Sequence, residues 1–121
     1  MKSDEKINDC GIVIENYCLK RCLHRKSYPQ CDNPTKSNEV HAAQRWIKQC
    51  CWERKTMNWN RSSYGLKHDM ERETGLYVSN GNFIKAAMLL GYRMKSDYPN
   101  CFFNIGVKTK RNRRFWDIYK H

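Results

Sequence analysis

The chain has 121 residues, 40% of them hydrophobic and 29% charged, with 23 Lys and Arg against 12 Asp and Glu for a formal net charge of +11. That length corresponds to one domain with a modest core, and no apolar run approaches the roughly 20 residues that cross a bilayer. So large a positive excess points to a polyanionic partner, either nucleic acid or an acidic protein surface.

The opening MKSDEKINDC is acidic and polar where a secretory leader is basic and then apolar, so export is not expected and a cytoplasmic location is. Residues 1–8 read as a solvated tail. Seven cysteines, an odd number, favour reduced thiols or a metal site over structural disulfides. The stretch GIVIENYCLKRCL, residues 11–23, joins a β-branched run to a helix-compatible one, and both strand-then-helix and a single helix fit its period. Cys18 and Cys22 share a helical face at i, i+4, and with His24 and Cys31 they form a thiolate and imidazole set that zinc accepts. The spacing C-x3-C-x-H-x6-C lacks the second paired knuckle of a zinc ribbon, and cysteines are often plain core residues. No metal or other cofactor is therefore expected. If zinc binds, Cys18, Cys22, His24 and Cys31 are its ligands, with Cys10 or the Cys50–Cys51 pair as substitutes. SYPQCDNPTKSN, residues 27–38, reads as a connecting loop.

Ala43, Trp46, Ile47 and Cys50 follow the i, i+3, i+4, i+7 rule and predict a helix capped by Ser37 or Asn38. It ends before MNWNRSS, residues 57–63, a polar link that carries Trp59. Ser62 or Ser63 can cap a second helix running to about Thr74, with Gly75 in the left-handed stopping position. Ser79 or Asn80 can cap a third that ends at Leu90, with Gly91 in the same role. Phe83, Ala87 and Leu90 are expected to pack against Leu66 and Met70. Residues 92–94 and 101–105 then flank the turn-forming SDYPN as a short hairpin. The predicted fold is α+β and mostly helical: winged-helix-like, a helix-turn-helix plus a short β-hairpin. An extra cysteine-rich N-terminal segment precedes it. Residues 1–36 are that segment, 37–107 the core and 108–121 a basic aromatic tail, all within one domain.

Catalytic chemistry has little footing. There is no phosphate-binding glycine loop or nucleophile elbow, and the four histidines fit no metalloprotease spacing, so an enzyme is not expected. His68, Asp69, Glu71 and Glu73 sit on a helix with Lys67 and Arg72, where i, i+4 pairing accounts for them. The third helix offers only Asn80, Asn82 and Lys85 as polar groups and is nearly apolar all round, so it reads as a central buried helix rather than a reader of base edges. Contacts to a phosphate backbone would come instead from Arg61, Lys67, Arg93 and Lys95, and from the cluster Lys108, Lys110, Arg111, Arg113 and Arg114. Tyr98 at the hairpin tip is a candidate for stacking on a base, and Trp116 for an interface anchor.

The motifs SSYGLKH, YVSNGNFIKAAMLLGY and PNCFFNI, within residues 62–105, resemble a class of small uncharacterised proteins carried by phages and other bacterial mobile elements. The resemblance implies a bacterial, mobile-element setting, one that includes anti-CRISPR proteins. Together these readings predict a small basic protein that binds nucleic acid chiefly through the phosphate backbone. The alternative is an anti-CRISPR-type inhibitor that binds a host CRISPR nuclease complex and blocks its nucleic-acid-binding surface.

Overall fold

The structure is a computed structural model and describes residues 5–14 and 34–108. The predicted metal set Cys18, Cys22, His24 and Cys31, the cations Lys110, Arg111, Arg113 and Arg114, and Trp116 lie outside the described residues. Three helices and three antiparallel strand pairs make up the described part, so the fold is α+β. In chain order these are β1 (Glu5–Asn8), β2 (Gly11–Ile14), α1 (Ser37–Cys50), β3 (Cys51–Glu53), α2 (Ser63–Thr74), α3 (Asn80–Leu89), β4 (Met94–Asp97), β5 (Asn100–Phe103) and β6 (Ile105–Val107). Among the described residues, no helix is long and apolar enough to cross a membrane.

Helix α1 forms as its periodicity requires. Val40, Ala43, Trp46, Ile47 and Cys50 fall on one face and are buried. Neither expected cap is used: Lys36 holds the N-cap position without a side-chain hydrogen bond. Glu39 in the first turn and Lys48 in the last suit the helix dipole. Helices α2 and α3 stop and start where the glycines and serines direct. Gly75 adopts a left-handed conformation at φ 73° and its N–H donates to the Glu71 carbonyl. The Ser79 hydroxyl accepts from the Asn82 N–H, a side-chain cap.

Helix α3 is the centre of the molecule. Phe83, Ile84, Ala86 and Ala87 are fully buried, as are Leu66 and Met70 of α2, and Leu90 is partly buried against the same cluster. Trp46 of α1 meets Phe83 with ring centroids 6.0 Å apart, and its indole N–H donates to Glu73 at 2.9 Å. The polar first turn of α3 is buried too. Asn82 accepts from the Lys36 N–H at 2.8 Å and donates to Glu39 at 2.8 Å and Asp9 at 3.1 Å. Every one of these polar groups is satisfied, which is what lets an asparagine sit in a core.

Two parts of the sequence reading need correction. Residues 5–8 are not solvated tail: they form β1, which pairs with β2 in a hairpin covering the start of α3. Ile12 of that hairpin is fully buried, and Gly81 donates its N–H to the Asp9 carbonyl at 3.2 Å. Glu5, only 5% exposed, accepts hydrogen bonds from Ser96 and Tyr98 on the far side of the chain. A buried carboxylate needs such partners, and they come from residues too distant in sequence to register locally. Second, the chain after α1 does not pass straight into a polar link. Residues 51–53 form β3 and pair with β6, Cys51 opposite Val107, Trp52 opposite Gly106 and Glu53 opposite Ile105.

Candidate functional site

The last strands carry two faces. Cys101, Phe103 and Ile105 point into the core and are fully buried. Side chains alternate along a strand, so Phe102, Asn104 and Gly106 belong to the opposite face. Lys95 stands directly across from Phe102 in the β4–β5 ladder, and cross-strand partners share a face. Arg93 precedes Lys95 by two positions and joins it there.

Two tryptophans rest on this outer face. Trp52 lies across the bare backbone of Gly106, where a side-chain carbon would sit 2.5 Å from indole atoms Cε2 and Nε1. Trp59 meets the Phe102 ring edge-on, centroids 5.3 Å apart and planes at 63°. Both rings keep more than half their surface open: Trp52 is 51% exposed and Trp59 61%. Phe102 lies on β5 and Gly106 on β6, on either side of the bend at Asn104.

Asn104 organises the space between them. Its side-chain oxygen accepts from the Arg93 N–H at 2.8 Å, and its amide donates to the Arg54 carbonyl at 3.0 Å. Its own carbonyl accepts from the Arg54 N–H at 2.8 Å. The Arg93 guanidinium donates to the Lys55 carbonyl and ties the same loop down. The result is a hollow of about 240 Å³ lined by Glu53, Arg54, Lys55, Arg93 and Asn104. Lys55, Arg93 and Lys95 are exposed and Arg54 is half-buried. Glu53 lines the hollow itself and Asp97 lies two positions beyond Lys95, so four cations face two acids and the face is net positive.

The predicted binding residues divide sharply. Arg93 and Lys95 stand on the face just described. Lys108 is half-buried, its N–H donating to the Cys50 carbonyl at 2.8 Å. Arg61 is engaged by Asp69, 2.5 Å from Nη2 to Oδ1, and also donates to the Gly65 carbonyl. Lys67 is only 7% exposed: its ammonium lies 3.3 Å from Glu71 and over the rings of Tyr64 and Tyr77, 5.5 Å and 5.1 Å from their centroids. It is therefore an internal tie of α2 rather than a surface contact. Tyr98 is half-buried and spends its hydroxyl on Glu5, which fixes the hairpin turn in place of presenting a ring to solvent.

Trp52, Trp59, Arg54 and Lys55 were not singled out as site residues by the sequence. Part of the signal was present in WERK, residues 52–55, an aromatic, an acid and two cations, and Trp59 sat in the stretch 57–63 read as a polar link. The described cysteines offer no competing chemistry. Cys10, Cys50, Cys51 and Cys101 are thiols, and among the described residues no group of three or more His, Cys, Asp or Glu is placed to hold a metal. Burial pushes the Cys101 thiol up to about 12, so it is not a nucleophile at neutral pH. Tyr92, beside a second small hollow lined with Lys48, Glu53 and Leu90, is raised by burial and by the nearby Cys51 and Glu53.

No protein-family model, curated protein or solved structure compared with the chain gives a significant match.

Proposed function

We propose that this chain is a non-catalytic nucleic-acid-binding module of phage or mobile-element type, holding the phosphate backbone on the outer face of its sheet. The carrying observation is that Arg54, Lys55 and Arg93 line one hollow with Glu53 and Asn104, while Lys95 is exposed opposite Phe102 and the exposed Trp52 and Trp59 pack on Gly106 and Phe102. Cations at this density neutralise phosphates and release their counterions, which supplies affinity without sequence information. The element order α1–β3–α2–α3–β4–β5–β6 is compatible with a winged-helix reading, with β3–β6 and β4–β5 as two separate two-stranded ladders. In that plan α3 is the recognition helix, whose N-terminal residues would enter the major groove. Here Asn80, Gly81 and Asn82 are buried beneath the β1–β2 hairpin, which argues against base reading by that helix and for backbone contact elsewhere.

The test is a titration of labelled oligonucleotides at increasing salt. Binding should weaken linearly in log–log form, with a slope of about −0.7 to −0.9 for each phosphate contacted. Joint replacement of Arg54, Lys55, Arg93 and Lys95 by Gln should weaken binding and flatten that slope. Absence of binding at low salt would overturn the reading.

A second reading, an anti-CRISPR-type inhibitor directed at a nuclease complex, is favoured by a separate patch. Tyr64, Leu76 and Tyr77 are exposed around the Lys67 ammonium, and aromatic residues beside cations are typical anchors of protein interfaces. Recovery of a defined ribonucleoprotein from nuclease-treated bacterial lysate, lost on Tyr77→Ala, would favour this reading over the first.

A further inference from the structure

Resting on the nucleic-acid reading above, we propose that the sheet face is a site for unpaired strands, with Trp52 and Trp59 each stacking one base and the cations between them holding the connecting backbone. The two rings carry the inference. Large aromatics with more than half their surface in water are costly to leave bare, and both are already packed, one over the Gly106 backbone and the other edge-to-face with the Phe102 ring. A ring seated on the protein with most of its surface open is a preorganised stacking platform, and it meets a base at little cost in side-chain entropy.

Bases inside a duplex are already stacked on each other and offer no face to such a ring. Only unpaired nucleotides can occupy both platforms. Asn104, which lies between Phe102 and Gly106 in the chain, lines the hollow together with Arg54, Lys55 and Arg93, and these cations are the ones available to the connecting backbone. Among the described residues, the two winged-helix routes to a duplex are closed. The start of α3 is buried beneath β1–β2, and the β4–β5 turn is tied to Glu5 by Tyr98, so neither is shaped to enter a groove. Stacking tolerates every base, so binding should depend weakly on sequence and strongly on strandedness. The chemistry is shared by single-stranded DNA and RNA.

The experiment uses the full chain with three probes of equal length: a dT oligomer, an rU oligomer and a mixed-sequence duplex. A single strand should bind more tightly than the duplex, and comparison of dT with rU identifies the natural polymer. Trp52→Ala and Trp59→Ala should each weaken single-strand binding about 5- to 150-fold, the usual range for one stacked base, with the salt slope unchanged because stacking is not screened. Gly106→Ala retains both indoles but drives Trp52 from its seat and should weaken binding in the same way. Leu89→Ala, an exposed apolar residue of α3 outside this face, should leave affinity unchanged, and thermal unfolding checks that each variant is folded. Equal affinity for duplex, or full single-strand affinity in folded Trp52→Ala and Trp59→Ala proteins, overturns the platforms while leaving backbone binding intact. Failure of all three probes to bind overturns both.

Discussion

The backbone carbonyl of Asn8 occupies the space in which a side chain at Gly81 would begin: a carbon built there lies 1.5 Å from that oxygen. The N-terminal hairpin and the central helix are therefore in backbone contact, and the absence of a side chain at Gly81 is what permits it. Gly81→Ala should lift the hairpin. A gain of about 1 kcal/mol in helix propensity will be outweighed by overpacking and lost burial, for a net destabilisation of about 1–3 kcal/mol. Gly75→Ala is the control: nothing lies within 4 Å, so only the left-handed backbone is penalised, by about 1 kcal/mol. Urea unfolding compares the two, and a Gly81→Ala protein as stable as the parent would mean the hairpin does not dock.

Asn82 is the hub that binds the hairpin, α1 and α3 together. Asn82→Leu would leave the Lys36 N–H, Asp9 and Glu39 short of a partner inside the protein. A loss of about 2–3 kcal/mol is expected. Ser79→Ala removes only the helix cap and should cost about 1 kcal/mol. A cost for Asn82→Leu no larger than that for Ser79→Ala, measured by the same urea curves, would show that the network contributes little.

The Cys101 thiol gives a pH dependence with a definite sign. Its folded pKa, raised by burial to about 12, lies above the ordinary value of 9.0. Between those values the unfolded chain has lost the proton and the folded protein retains it, so stability falls as pH rises from about 9 toward 12. Cys101→Ala should flatten that limb of the stability curve. In the native protein at neutral pH, the buried Cys101 should resist alkylation and should react once the protein is unfolded in urea.

The helices were legible because each carries local information: apolar spacing in α1, a left-handed glycine after α2, a serine cap before α3. Of the strands, the hairpin around SDYPN was legible from its turn residues, though β4 starts at Met94 and runs through Asp97, while β1, β3 and β6 were not. A three-residue pairing such as Cys51–Glu53 with Ile105–Val107 joins segments half the chain apart and leaves no local period. β1 hides its buried side behind a glutamate whose hydrogen-bond partners are Ser96 and Tyr98. Site residues were legible to the same degree. Arg93 and Lys95 were found because a short hairpin exposes alternate residues, whereas Trp52 and Trp59 share a face only once β5 and β6 lie between them.

Lys67 and Lys95 look alike in sequence and differ in what surrounds them, which separates stability from binding. Lys67→Ala removes the ammonium from between Tyr64, Tyr77 and Glu71 and should destabilise the fold by about 1–2 kcal/mol. Nucleic-acid affinity, measured where the variant remains folded, should be unchanged. Lys95→Ala alters an exposed strand residue and should move stability by no more than about 0.5 kcal/mol. Its effect should appear in binding, where the salt slope for a single strand falls by about 0.7. Paired unfolding and salt titrations on the two variants read both quantities. If Lys67→Ala flattened the salt slope and Lys95→Ala did not, the phosphate contacts would lie on α2, and the sheet face would lose its assignment.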